Sequence, residues 1–283
     1  MSAFHDQNNI YPHDVVLRVT DLQRSLEFYQ KIMGLKVLSE MDGGHVLSAN
    51  GVTPLVTITS GEDIQPKTPR RTGLYHFAIL LPDRISLGLF LKNLNENQYP
   101  ISGGAYHGVS EAIYLQDPDD NGIEIYADTQ EESWERADET ISMVTERLDY
   151  DALMALTEDR SWEGAPEDTI LGHMHLHVAD LDTSLAFYET IGFRVTQRLR
   201  QQAYFVSTGG YHHHIGFNIW NGRNAEPLPE NNAGMAFFTL KFPSAEIMKK
   251  SIDSLKDKGY EVTEEAGSIY ARDPSGNRIR FIL

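Results

Sequence analysis

The feature that most constrains this chain is that it repeats itself. Leu17, Val19, Asp21, Leu22, Ser25, Leu26, Phe28 and Tyr29 recur, in the same order and spacing, as Leu176, Val178, Asp180, Leu181, Ser184, Leu185, Phe187 and Tyr188. Each run reaches a glycine, Gly34 or Gly192, followed by an apolar, a basic and a valine residue. The ends of the halves repeat as well: Asp117-Pro118, Asn121 and Ile123 against Asp273-Pro274, Asn277 and Ile279. A period this long marks a duplicated structural unit, so any fold assigned to one half must serve the other.

Each half divides again. An apolar strand at 14–19 precedes a helix that Asp21 can cap, with Leu22, Leu26 and Tyr29 near one face and Gly34 at its end. Strands are expected near 36–40, 44–49 and 54–60. A second strand and helix start at 74–81 and 84–97, followed by strands near 111–116 and 122–127. The same order runs through 172–220 and 235–282. The expectation is an α+β chain of four βαβββ modules, arranged as residues 10–128, a linker over 129–169 and residues 170–283. The linker is acidic (Glu131, Glu132, Glu135, Asp138, Glu139) and carries a helix near 149–157.

Composition narrows the function. A net charge of −17 and the lack of a basic patch argue against nucleic acid and anionic membranes as partners. With no cysteine there are neither disulfides nor thiolate metal sites, which fits a reducing cytoplasm. The N-terminus has no apolar signal-like run, and no apolar stretch is long enough to span a bilayer.

The chemistry concentrates around Glu124. Asp117-Pro118 and Asn121-Gly122 mark a tight turn between two strands, and in the second strand Glu124 and Tyr126 share a face opposite Ile123 and Ile125. A carboxylate in an apolar strand is costly to bury unless it is paired or binds a metal. His76, inside the apolar run Leu74–Leu80, is a candidate metal partner; an arginine ion pair is the competing explanation. His173, His175 and His177 share one face of another strand, where each is either a ligand or a satisfied polar group at a pocket wall.

The four modules, the Asp-Leu helix starts and the Asn-x-Ile-Glu ending resemble the vicinal oxygen chelate superfamily of glyoxalases, extradiol dioxygenases and resistance proteins. Within it, the chain looks most like two-domain bacterial catechol 2,3-dioxygenases. The resemblance implies paired modules that curve two sheets into barrels, one of them around a metal whose ligands come from first and last strands. Seven residues before each Asp-Leu start, the first-strand position holds His173 in module three and Asp14 in module one. Module two offers His76 and Glu124; module four offers Phe237 and Arg280 in their places. The implied metal site is therefore His76, Glu124 and His173, a set suited to Fe(II) with open positions for substrate and O₂. It would be shared by modules two and three, leaving one and four as a metal-free unit.

The extradiol signature reads here His107, Ile113-Tyr114, Asp117-Pro118 and Glu124. It departs from the usual form at Ala105 and Asp120. The run Tyr211-His212-His213-His214-Ile215-Gly216-Phe217-Asn218 resembles the strand that carries the family's catalytic histidine; His214 takes that role, with His213 one register step away as runner-up. Tyr114 and His107 would bind and orient the substrate. The competing readings are a solvated loop for the histidine run and an ordinary half-buried strand aromatic for Tyr114. The implied partners are a small aromatic diol and O₂, with a homo-oligomer left open. Two other readings remain: a glyoxalase-like lyase or isomerase using Zn or Ni with a fourth protein ligand, and a metal-free binding or resistance protein.

Overall fold

The computed structural model describes residues 4–138 and 140–283; Glu139 of the acidic linker lies outside them. Module one is β1 (Tyr11–Arg18), α1 (Leu22–Glu27, widening into a π-turn over Phe28–Ile32), β2 (Lys36–Met41), β3 (Gly44–Ser48) and β4 (Val56–Thr59). Module two is β5 (Gly73–Leu80), α2 (Arg84–Glu96), β6 (Gly103–Tyr106), β7 (Ser110–Gln116) and β8 (Gly122–Asp128). The linker holds short strands β9 (Arg136–Ala137), β10 (Thr140–Ile141) and β11 (Glu146–Arg147), then α3 (Tyr150–Ala155). Module three is β12 (Ile170–His177), α4 (Leu181–Ile191), β13 (Arg194–Leu199), β14 (Ala203–Ser207) and β15 (Ile215–Asn218). Module four is β16 (Gly234–Lys241), α5 (Ala245–Asp257), β17 (Val262–Glu265), β18 (Ser268–Arg272) and β19 (Arg278–Ile282).

The four main helices start the same way. The side chains of Asp21, Asp83, Asp180 and Ser244 each accept the backbone N–H three residues on, satisfying one of the donors a helix start leaves free. Gly34 and Gly192 follow α1 and α4 at φ +71° and +127°, a region that a side chain disfavours.

The sheets cut across the duplication. One is nine-stranded, in the order β11-β6-β7-β8-β5-β12-β15-β14-β13, and joins modules two and three. The other is eight-stranded, in the order β17-β18-β19-β16-β1-β4-β3-β2, and joins modules four and one. The seam of the first is the antiparallel pair β5–β12, with His175 opposite His76 and bulges on either side. A bulge bends and twists a strand, which helps curl such a sheet. Strand parity then sorts the side chains. Phe77, Ile79, Ile123, Ile125, Met174 and Leu176 enter the main apolar core shared with Leu17 and Phe238 of the other sheet. His76, Glu124, Tyr126 and His173 take the opposite, inward face.

The repeated motifs meet each other. Tyr29 O–H donates to Asp117 at 2.9 Å and Tyr188 O–H to Asp273 at 3.2 Å, joining the helix of one module to the last turn of the next. Both aspartates also accept from the asparagine that closes their turn, Asn121 or Asn277. The Phe-Tyr and Asp-Pro-x-x-Asn repeats are thus two sides of one buried brace. The linker does more than tether: β11 extends the nine-stranded sheet beyond β6, and α3 packs so closely on α2 that a Cβ at Gly88 would stand 2.6 Å from the Leu153 carbonyl oxygen. Among the described residues no helix is long and apolar enough to cross a membrane.

Candidate metal centre

His76 on β5, Glu124 on β8 and His173 on β12 converge on the inner face of the nine-stranded sheet, with one potential ligand atom from each within 4.8 Å of the others. Glu124 Oε2 lies 3.0 Å from His76 Nε2 and 3.3 Å from His173 Nε2. Donors held about 2.0–2.2 Å from one ion stand about 3 Å apart, so these spacings fit a shared cation. All three side chains are buried. His76 Nε2 is close to Glu124 but off the line of a hydrogen bond, leaving a buried nitrogen without a partner, and among the described residues Glu124 pairs with no arginine or lysine. An unpartnered buried donor is costly unless something else satisfies it. The donor set therefore suits a cation better than an internal ion pair.

Electrostatics keep the set in its ligating form. Burial, opposed by the neighbouring Glu124, lowers His173 to about 4, so it is neutral at pH 7. Burial alone would raise the Glu124 carboxyl, but His173 and His76 outweigh it and hold it well below the usual carboxylate range. A neutral imidazole and an ionised carboxylate are the states a metal binds.

A cavity of about 250 Å³ adjoins the cluster, lined by His76, Glu124, Tyr114, His107, His175 and His213, with Phe205, Trp220 and Leu199 as apolar wall. A wider cleft of about 540 Å³ shares Tyr75, His76 and Tyr114 with it and carries Lys67, Arg70 and Arg71. His107 Nδ1–H donates to the Val144 carbonyl at 2.7 Å, which makes Nε2 the acceptor of the Tyr114 hydroxyl, also at 2.7 Å. Burial, then the Glu124 charge, raises Tyr114 well above an ordinary phenol, so it stays a neutral donor.

The histidine run resolves against the first choice made from sequence. His214 is turned away from the cavity: Nδ1 accepts from Ser207 Oγ at 3.0 Å and Thr208 N–H at 3.3 Å, and Nε2–H donates to the Phe4 carbonyl at 3.1 Å. Both nitrogens are committed, so it has none to offer a substrate. His213, the runner-up, lines the cavity with its ring 4.1 Å from that of His173. The run is neither solvated nor a strand: residues 211–214 precede β15, and all four are buried. Burial holds both His213 and His214 well below the usual imidazole value.

The remaining positions have other partners. His175 Nε2 accepts from Asn218 Nδ2 at 3.0 Å, and His177 Nδ1–H donates to Asn218 Oδ1 at 2.8 Å, so one asparagine satisfies both. In the other sheet Asp14 pairs with Arg280 at 3.3 Å and His13 at 2.9 Å, and the Arg280 guanidinium lies over Phe237. A built-in cation fills the place equivalent to the His76, Glu124 and His173 cluster. Sequence reasoning missed Asp128, Trp134, Met143 and Val144, which lie at or beyond the end of β8 in a linker with no apolar periodicity. It also missed Phe205 and Trp220, which nothing separates from ordinary core aromatics until the sheet curls.

Residues 12–125 and 170–281 each match the family model described as the Glyoxalase/Bleomycin resistance protein/Dioxygenase superfamily. The chain is 41% identical over 288 residues to a Bacillus subtilis (strain 168) protein named Catechol-2,3-dioxygenase, covering 100% of both. Among solved structures it resembles a putative dioxygenase from Bacillus subtilis (TM-score 0.67, 14% identity, 98% of this chain and 86% of that one). It also resembles glyoxalase I from Zea mays (TM-score 0.60, 18% identity, 96% and 92%). At these identities the structural likenesses speak to fold alone.

Proposed function

The chain belongs to the Glyoxalase/Bleomycin resistance protein/Dioxygenase superfamily, and from that premise we propose that it is an Fe(II)-dependent extradiol dioxygenase that cleaves a catechol with O₂. The observation that carries the reading is the buried cluster of His76, Glu124 and His173 beside a cavity that also holds His213 and the His107–Tyr114 pair. The relative named Catechol-2,3-dioxygenase supports the same class.

His76, Glu124 and His173 would hold a ferrous ion, which would supply Lewis acidity toward the diol and the electron transfer that O₂ requires. The rest falls to the protein. His213 takes a hydroxyl proton from the catechol, since it is neutral and faces the cavity. Tyr114, held by His107, orients a ring oxygen. Phe205, Trp220 and Leu199 exclude water and flank the ring. The product of unsubstituted catechol would be 2-hydroxymuconic semialdehyde, which is yellow. A glyoxalase-type isomerase would require a fourth protein ligand, and among the described residues the cluster has three members.

The test is anaerobic loading with ferrous iron, followed by exposure to catechol and air. Stoichiometric O₂ uptake with a yellow product is expected. Absence of turnover by the iron-loaded protein, with zinc or nickel supporting isomerase activity on a thiohemiacetal instead, would sink the proposal.

A further inference from the structure

His213 does not stand alone at the cavity wall. Its Nδ1 lies 2.8 Å from Nδ1 of His212, and His212 Nε2 lies 3.0 Å from Asp128 Oδ1. Asp128 is anchored in turn. The Tyr211 hydroxyl is 3.1 Å from both of its oxygens, and Tyr126 O–H stands 2.7 Å behind Tyr211. The His212 ring is fully buried between Tyr211 and Trp134, with ring centroids 3.9 and 5.3 Å away. It has little freedom to turn over.

Donor and acceptor rules then order the chain. An ionised carboxylate only accepts, so Asp128 fixes the proton of His212 on Nε2. A neutral imidazole with a proton on Nε2 has a bare Nδ1. For a neutral His212, the short Nδ1–Nδ1 contact therefore places the proton on His213. With Nδ1 protonated, neutral His213 has a bare Nε2, and among the described residues no hydrogen bond occupies that nitrogen.

We propose that Asp128 and His212 are positioning residues that lock His213 in the Nδ1–H form, so that its Nε2 is presented to the cavity as a proton acceptor. In the step this prepares, a substrate O–H bond breaks, an N–H bond forms at His213 Nε2, and the electron pair stays on the substrate oxygen. The imidazolium so formed keeps its Nδ1–H on His212, whose partner Asp128 supplies the compensating charge. The use of Nε2 as a base rests on the dioxygenase reading; the placement of the proton on His213 does not.

The experiment reads the ring nitrogens directly. Metal-free, full-length protein with ¹⁵N-labelled histidine is examined by two-bond ¹H–¹⁵N correlation NMR, with His213 assigned by the loss of its signals in His213→Gln. Wild type should show a protonated Nδ1 and a bare Nε2 on His213. Asp128→Ala and His212→Phe should move His213 toward the Nε2–H form; phenylalanine keeps the ring contact with Tyr211 but removes the acceptor. After iron loading, His212→Phe should keep its iron content and KM while kcat falls at least about 10-fold. A wild-type His213 protonated on Nε2 overturns the proposal even if neither variant folds, as does an unchanged tautomer in both folded variants. If the tautomers are as stated but iron-loaded wild type cleaves no catechol, the dioxygenase reading fails and the lock stands. If wild type cleaves catechol with His213 in the other tautomer, the lock alone fails.

Discussion

Nε2 of His173 lies 3.3 Å from Oε2 of Glu124, although the two residues sit in opposite halves of a duplicated chain. The β5–β12 seam makes this contact by placing the first strand of module three against the first strand of module two. The equivalent seam in the other sheet, β1–β16, brings Asp14 and Arg280 together instead. Two units of the same design have thus solved the same problem, a buried carboxylate, in two ways: one with an internal guanidinium, the other with histidines that leave room for a cation.

That geometry sets the first expectation. His76→Ala, Glu124→Ala and His173→Ala should each lose bound iron while keeping a cooperative thermal transition. Metal content of the purified variants, with melting followed by circular dichroism, checks it. Full iron occupancy in any one of them removes that residue from the ligand set.

His213→Ala and His214→Ala should separate function from packing. The first should bind iron normally and lose about 10²-fold in turnover, the scale of a lost general acid–base group. The second removes a side chain that answers Ser207, Thr208 and Phe4, and should cost about 1–3 kcal/mol of stability by leaving buried polar groups unmatched. The assignment reverses if His214→Ala is the variant that folds normally and fails to turn over.

The difficulty with His213 and His214 shows what the sequence could and could not convey. Modules and helix starts were legible because a strand's period of two and an Asp-Leu pair each have one structural meaning, and the resemblance singled out His76, Glu124 and His173, which lie in regular strands. Residues 211–214 lie in an irregular segment before β15, where strand parity does not apply, and adjacent histidines point to different environments. β6 carries two glycines in four residues, Gly103 and Gly104, and reads as loop. Met143 and Val144 reach the cavity through β11 pairing at the sheet edge, a contact no local pattern announces. The brace between Tyr29 and Asp117 was visible only as two separate repeats.

The brace offers a paired stability test. Tyr29→Phe and Tyr188→Phe should each destabilise the protein by about 1–3 kcal/mol, because each leaves a buried aspartate short of a donor. Urea denaturation should show similar losses for the two, since Asp117 and Asp273 have the same set of other partners. A neutral effect for both would mean the repeats are joined by ring packing alone.

Buried histidines make the metal-free protein acid-sensitive. Burial, opposed by hydrogen bonds or charge, lowers His5, His173 and His177 to about 4. Between about 4 and the unfolded value near 6.5 the unfolded chain binds more protons at these sites, so stability falls as pH falls through that window. Each group contributes a slope of at most about 1.4 kcal/mol per pH unit. Asp117 and Asp273, raised by burial, work in the opposite direction but are outnumbered. Urea midpoints should be nearly level from pH 8 to 7 and drop from pH 6.5 to 5. His5→Leu should flatten the drop, and a midpoint that rises toward pH 5 would contradict the argument.

The last expectation concerns Tyr114. Its hydroxyl donates to His107 Nε2, and His107 is fixed by the Val144 carbonyl, so the phenol is held in one orientation at the cavity wall beside Glu124. Its single proton is committed, which leaves the oxygen lone pairs to accept from a substrate hydroxyl. Tyr114→Phe deletes that acceptor without opening a cavity. His107 sits at the cavity edge, where water can replace the lost partner, so the stability change should stay within about 1 kcal/mol. Iron content should be unchanged, since Tyr114 is not among the three clustered donors. Turnover should fall by roughly 10²-fold, and steady-state kinetics on the iron-loaded variant should place the loss mainly in kcat. His107→Ala should give a smaller loss of the same kind, because it frees the phenol to rotate without removing it. If Tyr114→Phe cleaves catechol at the wild-type rate, the hydroxyl plays no part in the reaction and the His107–Tyr114 pair is a strand-edge contact.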